Sequence, residues 1–292
     1  MRLNKLLPGL LFILLIYGCG APNVLTNAKT EAETYETAGN FVAALAQWKS
    51  FIESTPLEQI AGADFAKAAK LAFKAGDSET AKSWFDQARY KNFADAEMYQ
   101  TLSEIYRSEG NLSKELSALE SYSEKFGSDN ATVNERLFQL YAEISSWEKA
   151  NELWGKMNEA SKQTENNLGT YLEVNKKLEN NAICDSVATA LLSLNPDQPE
   201  ALDWLATKYY WAGQERYEVE IEKYERNKTR KQYALLLKEL DQVTADFKKA
   251  LPYLEKLWAQ KPGKEYASYF VNIYARFGDE KKVDFYQKYL FQ

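Results

Sequence analysis

Apolar residues along most of this chain recur at three- and four-residue spacing, the period of an amphipathic helix. Ala81, Trp84, Phe85 and Ala88, for example, fall on one helical face. No stretch alternates polar and apolar positions convincingly, so the pattern predicts helices and almost no β-structure. The helices are short and regularly punctuated. Gly39, Gly76, Gly110, Gly213 and Gly278 stand where an apolar run stops. Glycine accepts the left-handed conformation needed just beyond a helix end. Pro56, Pro196 and Pro262 mark the ends of other helices, because proline cannot continue one.

The punctuation is periodic. Gly76 and Gly110 lie 34 residues apart. On that period, a unit starting at Leu25 places Tyr35, Gly39, Ala44, Trp48 and Pro56 at positions 11, 15, 20, 24 and 32. Further units start at Gly62, Ala96, Ala131, Glu165, Pro199 and Lys264. The small residue at position 20 lets two helices approach closely, and the bulky one at 24 fills the gap toward the next unit. A period of this length is the signature of stacked helix pairs. The pattern resembles the tetratricopeptide repeat (TPR) family from about residue 25 to the C-terminus. The resemblance implies an all-α, TPR-type α-solenoid of about seven helix pairs and some fifteen helices.

The sixth unit departs from the period. Its first helix is expected over about 199–212. Its second-helix signature arrives late, with Ala250, Leu254, Leu257 and Pro262. That register counts back to Lys231 and not Pro199, a difference of 32 residues. The inserted stretch, about 214–245, holds no Gly or Pro and is rich in Glu, Lys, Arg, Tyr and Leu. It is expected to add two helices, about 214–226 and 230–259, with a kink at Pro252. Tyr233, Leu236, Leu237 and Leu240 form an apolar stripe on the second, to pack in a hairpin or dock a partner.

The N-terminus has a different layout. Arg2 and Lys5 precede a 12-residue run, Leu6–Tyr17, apolar except for Pro8 and Gly9, and then Gly18 and Cys19. The run is too short for a mature membrane span and has the layout of a secretory signal. Leu15-Ile16-Tyr17-Gly18-Cys19 resembles a bacterial lipobox. That resemblance implies a signal peptide over 1–18, cleavage before Cys19, and acylation of its thiol, for which palmitate is a probe. Residues 19–29 then form a lipidated tether and 30–292 the solenoid. The implied location is the bacterial cell envelope, lipid-anchored at the outer membrane.

Charge narrows the partners. Without residues 1–18, which hold two basic and no acidic side chains, the 36 basic residues become 34 against 42 acidic, a net charge of −8. An acidic surface argues against nucleic acid. With Cys19 acylated, Cys184 is the one remaining thiol, so no internal disulfide forms. Its place at repeat position 20 reads as a buried small residue. The chain has no histidine, hence no imidazole base, no Ser-His or Cys-His dyad and no histidine metal ligand. No Gly-rich phosphate loop is present. We expect no enzyme, no cofactor and no metal site.

What remains is a binding scaffold. By resemblance to the TPR family, positions 2, 5, 9, 12 and 13 of each first helix line a concave groove. The candidate contacts there are Lys70, Phe73, Lys74, Arg107, Tyr210, Trp211 and Arg276. Tyr210, Trp211 and Arg276 are expected to form one partner-contact patch, against the rival reading that the aromatics are buried under the insertion. The expected function is a membrane-anchored TPR scaffold that binds another envelope protein or peptide. The alternative is a surface glycan-binding lipoprotein of a nutrient-uptake system, for which the 14% aromatic content is suggestive.

Overall fold

A computed structural model describes residues 21–291. The expected signal peptide, 1–18, and Cys19 lie outside the described residues. Every regular element among the described residues is helical. The chain divides between Phe126 and Gly127 into two compact units.

The first unit holds three helix pairs: α1 (Ala21–Thr37) with α2 (Phe41–Ser54), α3 (Gly62–Lys74) with α4 (Ser78–Tyr90), and α5 (Ala96–Ser108) with α6 (Leu112–Phe126). A single 3-10 turn, Leu57–Gln59, links α2 to α3. Residues 21–29, expected as tether, are the start of α1. The second unit holds four pairs. They are α7 (Ala131–Glu143) with α8 (Trp147–Lys156), α10 (Glu165–Lys177) with α11 (Asn181–Leu194), α12 (Pro199–Arg226) with α13 (Arg230–Gln260), and α14 (Lys264–Phe277) with α15 (Glu280–Gln287). A four-residue helix, α9 (Glu159–Lys162), lies between α8 and α10. The fold class is therefore the expected one, seven helix pairs of TPR type with the sixth enlarged.

The repeat pattern explains the pairing. Ala44, Ala81, Ala150, Cys184 and Ala250, all at position 20, are fully buried. Each removes side-chain bulk where two helices cross. The third pair breaks this rule: its position 20 is Glu115, also fully buried, and its carboxylate takes a hydrogen bond from Arg107 Nε at 2.9 Å. Helix starts are fixed by side-chain caps, such as Asp77 accepting from the Thr80 N–H and Asp95 from that of Met98. Such a cap stabilises a helix by about 1 kcal/mol. Helix ends use the left-handed region, with Gly39, Gly76, Gly110 and Gly278 at φ between +67° and +84°.

Gly213 corrects the sequence expectation. It does not end a helix. It sits inside α12, a single 28-residue helix, where a side chain would meet the Phe247 ring of α13 at 3.0 Å. The glycine is a notch that lets the Phe247 ring lie against the α12 backbone. The insertion is correspondingly not a separate hairpin after a finished repeat helix. It lengthens both helices of the sixth pair, to 28 and 31 residues, or about 42 and 46 Å. The physical reason is a continuous inner stripe. Tyr210, Gly213, Tyr217, Ile221 and Tyr224 on α12 recur at helical spacing, as do Leu236, Leu240, Val243 and Phe247 on α13; of the expected stripe, Leu237 is exposed and Tyr233, also exposed, meets Tyr224 at 5.7 Å. Arg216 adds ion pairs to Glu239 at 3.1 Å and to Asp246 at 3.6 Å. With apolar partners on offer, nothing stops α12 at Gly213. The α13 helix runs on through Pro252.

Candidate partner-binding faces

In the first unit, the candidate cations already have protein partners. Lys70 on α3 reaches to the next pair, 3.1 Å from Asp95 and 2.8 Å from Glu97. Burial alone depresses its ammonium pKa, but the hydrogen bonds to Glu97 and Asp95 outweigh that and raise it above the usual lysine range. Lys74 lies 3.8 Å from Glu36 and 5.9 Å from the centre of the Phe41 ring. Phe73 is half-buried. Arg107 is held by Glu115. These residues lie on first helices as expected, and their charges join one helix pair to its neighbour or one helix to its mate.

The second unit places its candidates at the junction of α12, α13 and α14. Tyr210 is buried, packed edge-on to Tyr269 at 4.5 Å and against Phe247 at 5.6 Å. Its hydroxyl accepts a hydrogen bond from Asn272 Nδ2 at 2.7 Å. Trp211 is the opposite, 50% exposed, with its ring edge-on to Tyr210 at 5.3 Å. Tyr210 thus follows the rival reading and Trp211 does not. Arg276 lies 3.6 Å above the centre of the Tyr217 ring and 5.7 Å from that of Phe247, and its Nη2 donates to Gln214 Oε1 at 2.8 Å. Phe247 therefore touches both Tyr210 and Arg276.

Cavities lie among the described residues of this unit. One, of about 510 Å³, is bounded by Tyr217, Leu240, Val243, Phe247, Asn272 and Arg276. The repeat register put Asn272 and Arg276 on a groove face and the insertion pattern put Leu240 on an apolar stripe, but nothing in the sequence brings them together. Tyr217, Leu240 and Val243 belong to the inserted stretch, which has no repeat register, so repeat positions alone do not assemble this lining. The second cavity, an open groove of about 680 Å³, runs between α10 and the start of α12, with Glu165, Thr170, Glu173, Gln198 and Glu200 on its walls. Glu200, Asp203, Thr207 and Trp211 follow at three- and four-residue spacing, so one face of α12 leads from this groove to Trp211. Partial burial pushes the Asp203 carboxyl above its usual range.

Cys184 is fully buried and burial pushes its thiol pKa up, away from nucleophilic use. Among the described residues, no cluster of acidic or cysteine side chains is placed to hold a metal. No helix among them is long and apolar enough to cross a membrane.

No protein-family model matches the chain, and no curated protein matches it. Solved structures do. The protein is similar to YrrB, a TPR protein with an unusual peptide-binding site, at 14% identity over 60% of this chain and 89% of that one, with a TM-score of 0.49. It is similar to a tetratricopeptide repeat protein from Parabacteroides merdae at 12% identity over 91% of each chain, with a TM-score of 0.47. A TPR repeats protein from Bacteroides fragilis matches at 17% identity over 90% of this chain and 98% of that one, with a TM-score of 0.37. At these identities the likeness is one of fold.

Proposed function

We propose that this protein is a lipid-anchored interaction scaffold of a bacterial envelope complex, holding a protein partner along the α10–α12 face of its second unit. Trp211 carries the reading. A large aromatic ring half out of water, backed by a buried tyrosine and on the α12 face that leads from an open groove, is the kind of anchor on which binding energy concentrates. Truncating such a residue removes about 2 kcal/mol or more of affinity. The first unit contributes framework, since its groove cations are bonded within the protein.

Capture from detergent-solubilised envelopes, with crosslinking and mass spectrometry, tests the face. Trp211→Ala is expected to lose the partner that the wild type captures while its melting curve is unchanged. Undiminished capture by Trp211→Ala overturns the assignment, and specific retention on a glycan array in place of a protein moves it to the carbohydrate alternative. The anchor is tested separately. Metabolic labelling with alkyne palmitate is expected to mark the wild type and not Cys19→Ser, and equal labelling of both excludes lipidation at Cys19.

A further inference from the structure

The 510 Å³ cavity at the foot of the lengthened α12–α13 pair contains a positive charge that the protein does not neutralise. Arg89, Arg107, Arg136, Arg216 and Arg226 each sit within ion-pair distance of a carboxylate. Arg276 does not, among the described residues. It is half-buried, and its environment is the face of Tyr217, the Phe247 ring and one neutral amide, Gln214. The other exception, Arg230, is exposed at a helix start, where water does the compensating. The rings and Gln214 hold the Arg276 guanidinium in place through one Nη2 hydrogen, which leaves one two-donor edge, the second Nη2 hydrogen with its neighbouring N–H, to meet a ligand. Leu240, Val243, Phe247 and Ala275 supply hydrocarbon lining, with Thr244 and Asn272 as neutral polar groups among them. The volume lies in the range of small-molecule sites, which are mostly apolar with a few fixed polar groups.

We infer that this cavity is a binding site for an apolar monocarboxylate. A guanidinium presents paired N–H donors that match the two oxygens of a carboxylate. The Tyr217 ring orders it before the ligand arrives, so little side-chain entropy is lost on binding. One cation suits one negative charge, and the aliphatic and aromatic wall takes the hydrocarbon. A phosphate monoester would bring a second charge with no second cation to meet it. The inference concerns a small ligand and is independent of the partner face around Trp211.

Calorimetric titration of the full chain with octanoate tests it, with 1-octanol and inorganic phosphate as comparisons. Saturable binding of one octanoate is expected, with neither comparison reproducing it. Hexanoate, two methylenes shorter, is expected to bind about tenfold more weakly. Arg276→Gln is expected to lose tenfold or more, the usual scale for a hydrogen-bonded charge. Because Arg276→Gln also removes the stacking on Tyr217, a second variant, Ala275→Phe, fills the cavity mouth from an exposed position and is expected to abolish binding with the melting temperature kept. The inference is overturned by 1-octanol binding as tightly as octanoate, by phosphate alone saturating the site, by either variant retaining full affinity, or by no saturation in the millimolar range.

Discussion

In the first unit, Lys29 meets Asp64 at 2.7 Å, Lys67 meets Glu33 at 2.6 Å and Lys49 meets Asp77 at 2.9 Å, and each of these bonds joins one helix pair to the next. In the second unit the corresponding joints include Trp154 stacked on Tyr171 at 3.9 Å, Tyr210 against Tyr269 at 4.5 Å and Trp258 against Phe270 at 5.8 Å. Polar joints occur there too, such as Lys208 to Asp185, but rings fill the gaps. The difference has a physical consequence. A partly exposed ion pair contributes about 0–1 kcal/mol and is screened by salt. An aromatic pair contributes about 0.5–1.5 kcal/mol beyond the area it buries. A joint made of rings can also lose one polar group to a ligand without coming apart. The cavity beside Arg276 and the exposed Trp211 both occur in the ring-jointed unit.

The sharpest way to break this comparison is at Phe247, which links Gly213, Tyr210 and Arg276. Phe247→Ala is expected to destabilise by about 3–5 kcal/mol, against less than about 1 kcal/mol for Lys49→Ala in the first unit. Urea midpoints decide it, and similar losses from the two variants remove the distinction. Next in size is the notch itself. Gly213→Val forces its side chain into the Phe247 ring and is expected to cost about 1–3 kcal/mol. Gly155, on an exposed part of α8 with nothing within 4 Å of a built Cβ, gives the contrast. Gly155→Ala is expected to gain up to about 1 kcal/mol from helix propensity alone.

These two glycines also show how much of the fold the sequence could disclose. The helix pairs, the small residues at position 20 and the glycine helix ends at 39, 76, 110 and 278 follow from periodicity, because each reflects local backbone and face chemistry. Gly213 occupies the same register position as those helix ends. Its different use depends on whether residues 214–226 find apolar partners, and those lie on α13. Glu115 is a similar case. A charge at a close-approach position is intelligible only once Arg107, eight residues earlier on the other helix, is seen beside it. The candidate site was half legible for the same reason. Repeat register put Lys70, Arg107 and Arg276 on first helices, but it could not show that the first two meet carboxylates while Arg276 meets Tyr217 and Gln214, the latter 62 residues away in sequence.

A smaller effect separates the units by pH. The Lys49 ammonium, and then the Thr80 hydroxyl and N–H, hold the Asp77 carboxyl at about 2, below its ordinary 3.8. The folded state therefore favours the charged form. The stability this gives is complete above about pH 4 and is lost as pH falls toward 2. After allowance for solvent screening it amounts to roughly 1 kcal/mol or less. Burial acts the other way on Tyr286 in the second unit, raising its phenol from 10.0 to about 12. Here folding favours the neutral form, so stability is complete below pH 10 and is lost as pH rises through about 12. Melting curves are expected to show the gap between wild type and Asp77→Asn closing in acid. Tyr286→Phe is expected to outlast the wild type in alkali. A gap that stays constant in either series removes that residue from the comparison.

The smallest expected effect lies in the turns between paired helices. At repeat position 15 the first unit uses Gly39, Gly76 and Gly110, with φ of +73°, +84° and +67°. The second unit keeps glycine in its last pair, Gly278 at +70°, but adopts the same left-handed conformation with Ser145 at +60° and Glu179 at +57°. A side chain there brings Cβ against the following carbonyl, a strain of about 1–2 kcal/mol that glycine does not feel. Glycine gives part of this back by enlarging the conformational freedom of the unfolded chain. Ser145 and Glu179 are both exposed, so little packing is lost on removing their side chains. Glu179→Gly and Ser145→Gly are each expected to stabilise by about 0.5 kcal/mol. In the first unit, Gly110→Ala, whose new Cβ would meet nothing within 4 Å, is expected to destabilise by a similar amount through φ alone. Urea titration resolves differences of this size when the three variants are run beside the wild type. A loss of stability in Glu179→Gly would mean that its side chain does more in the folded protein than its exposed position accounts for, and that the two units do not differ at this turn.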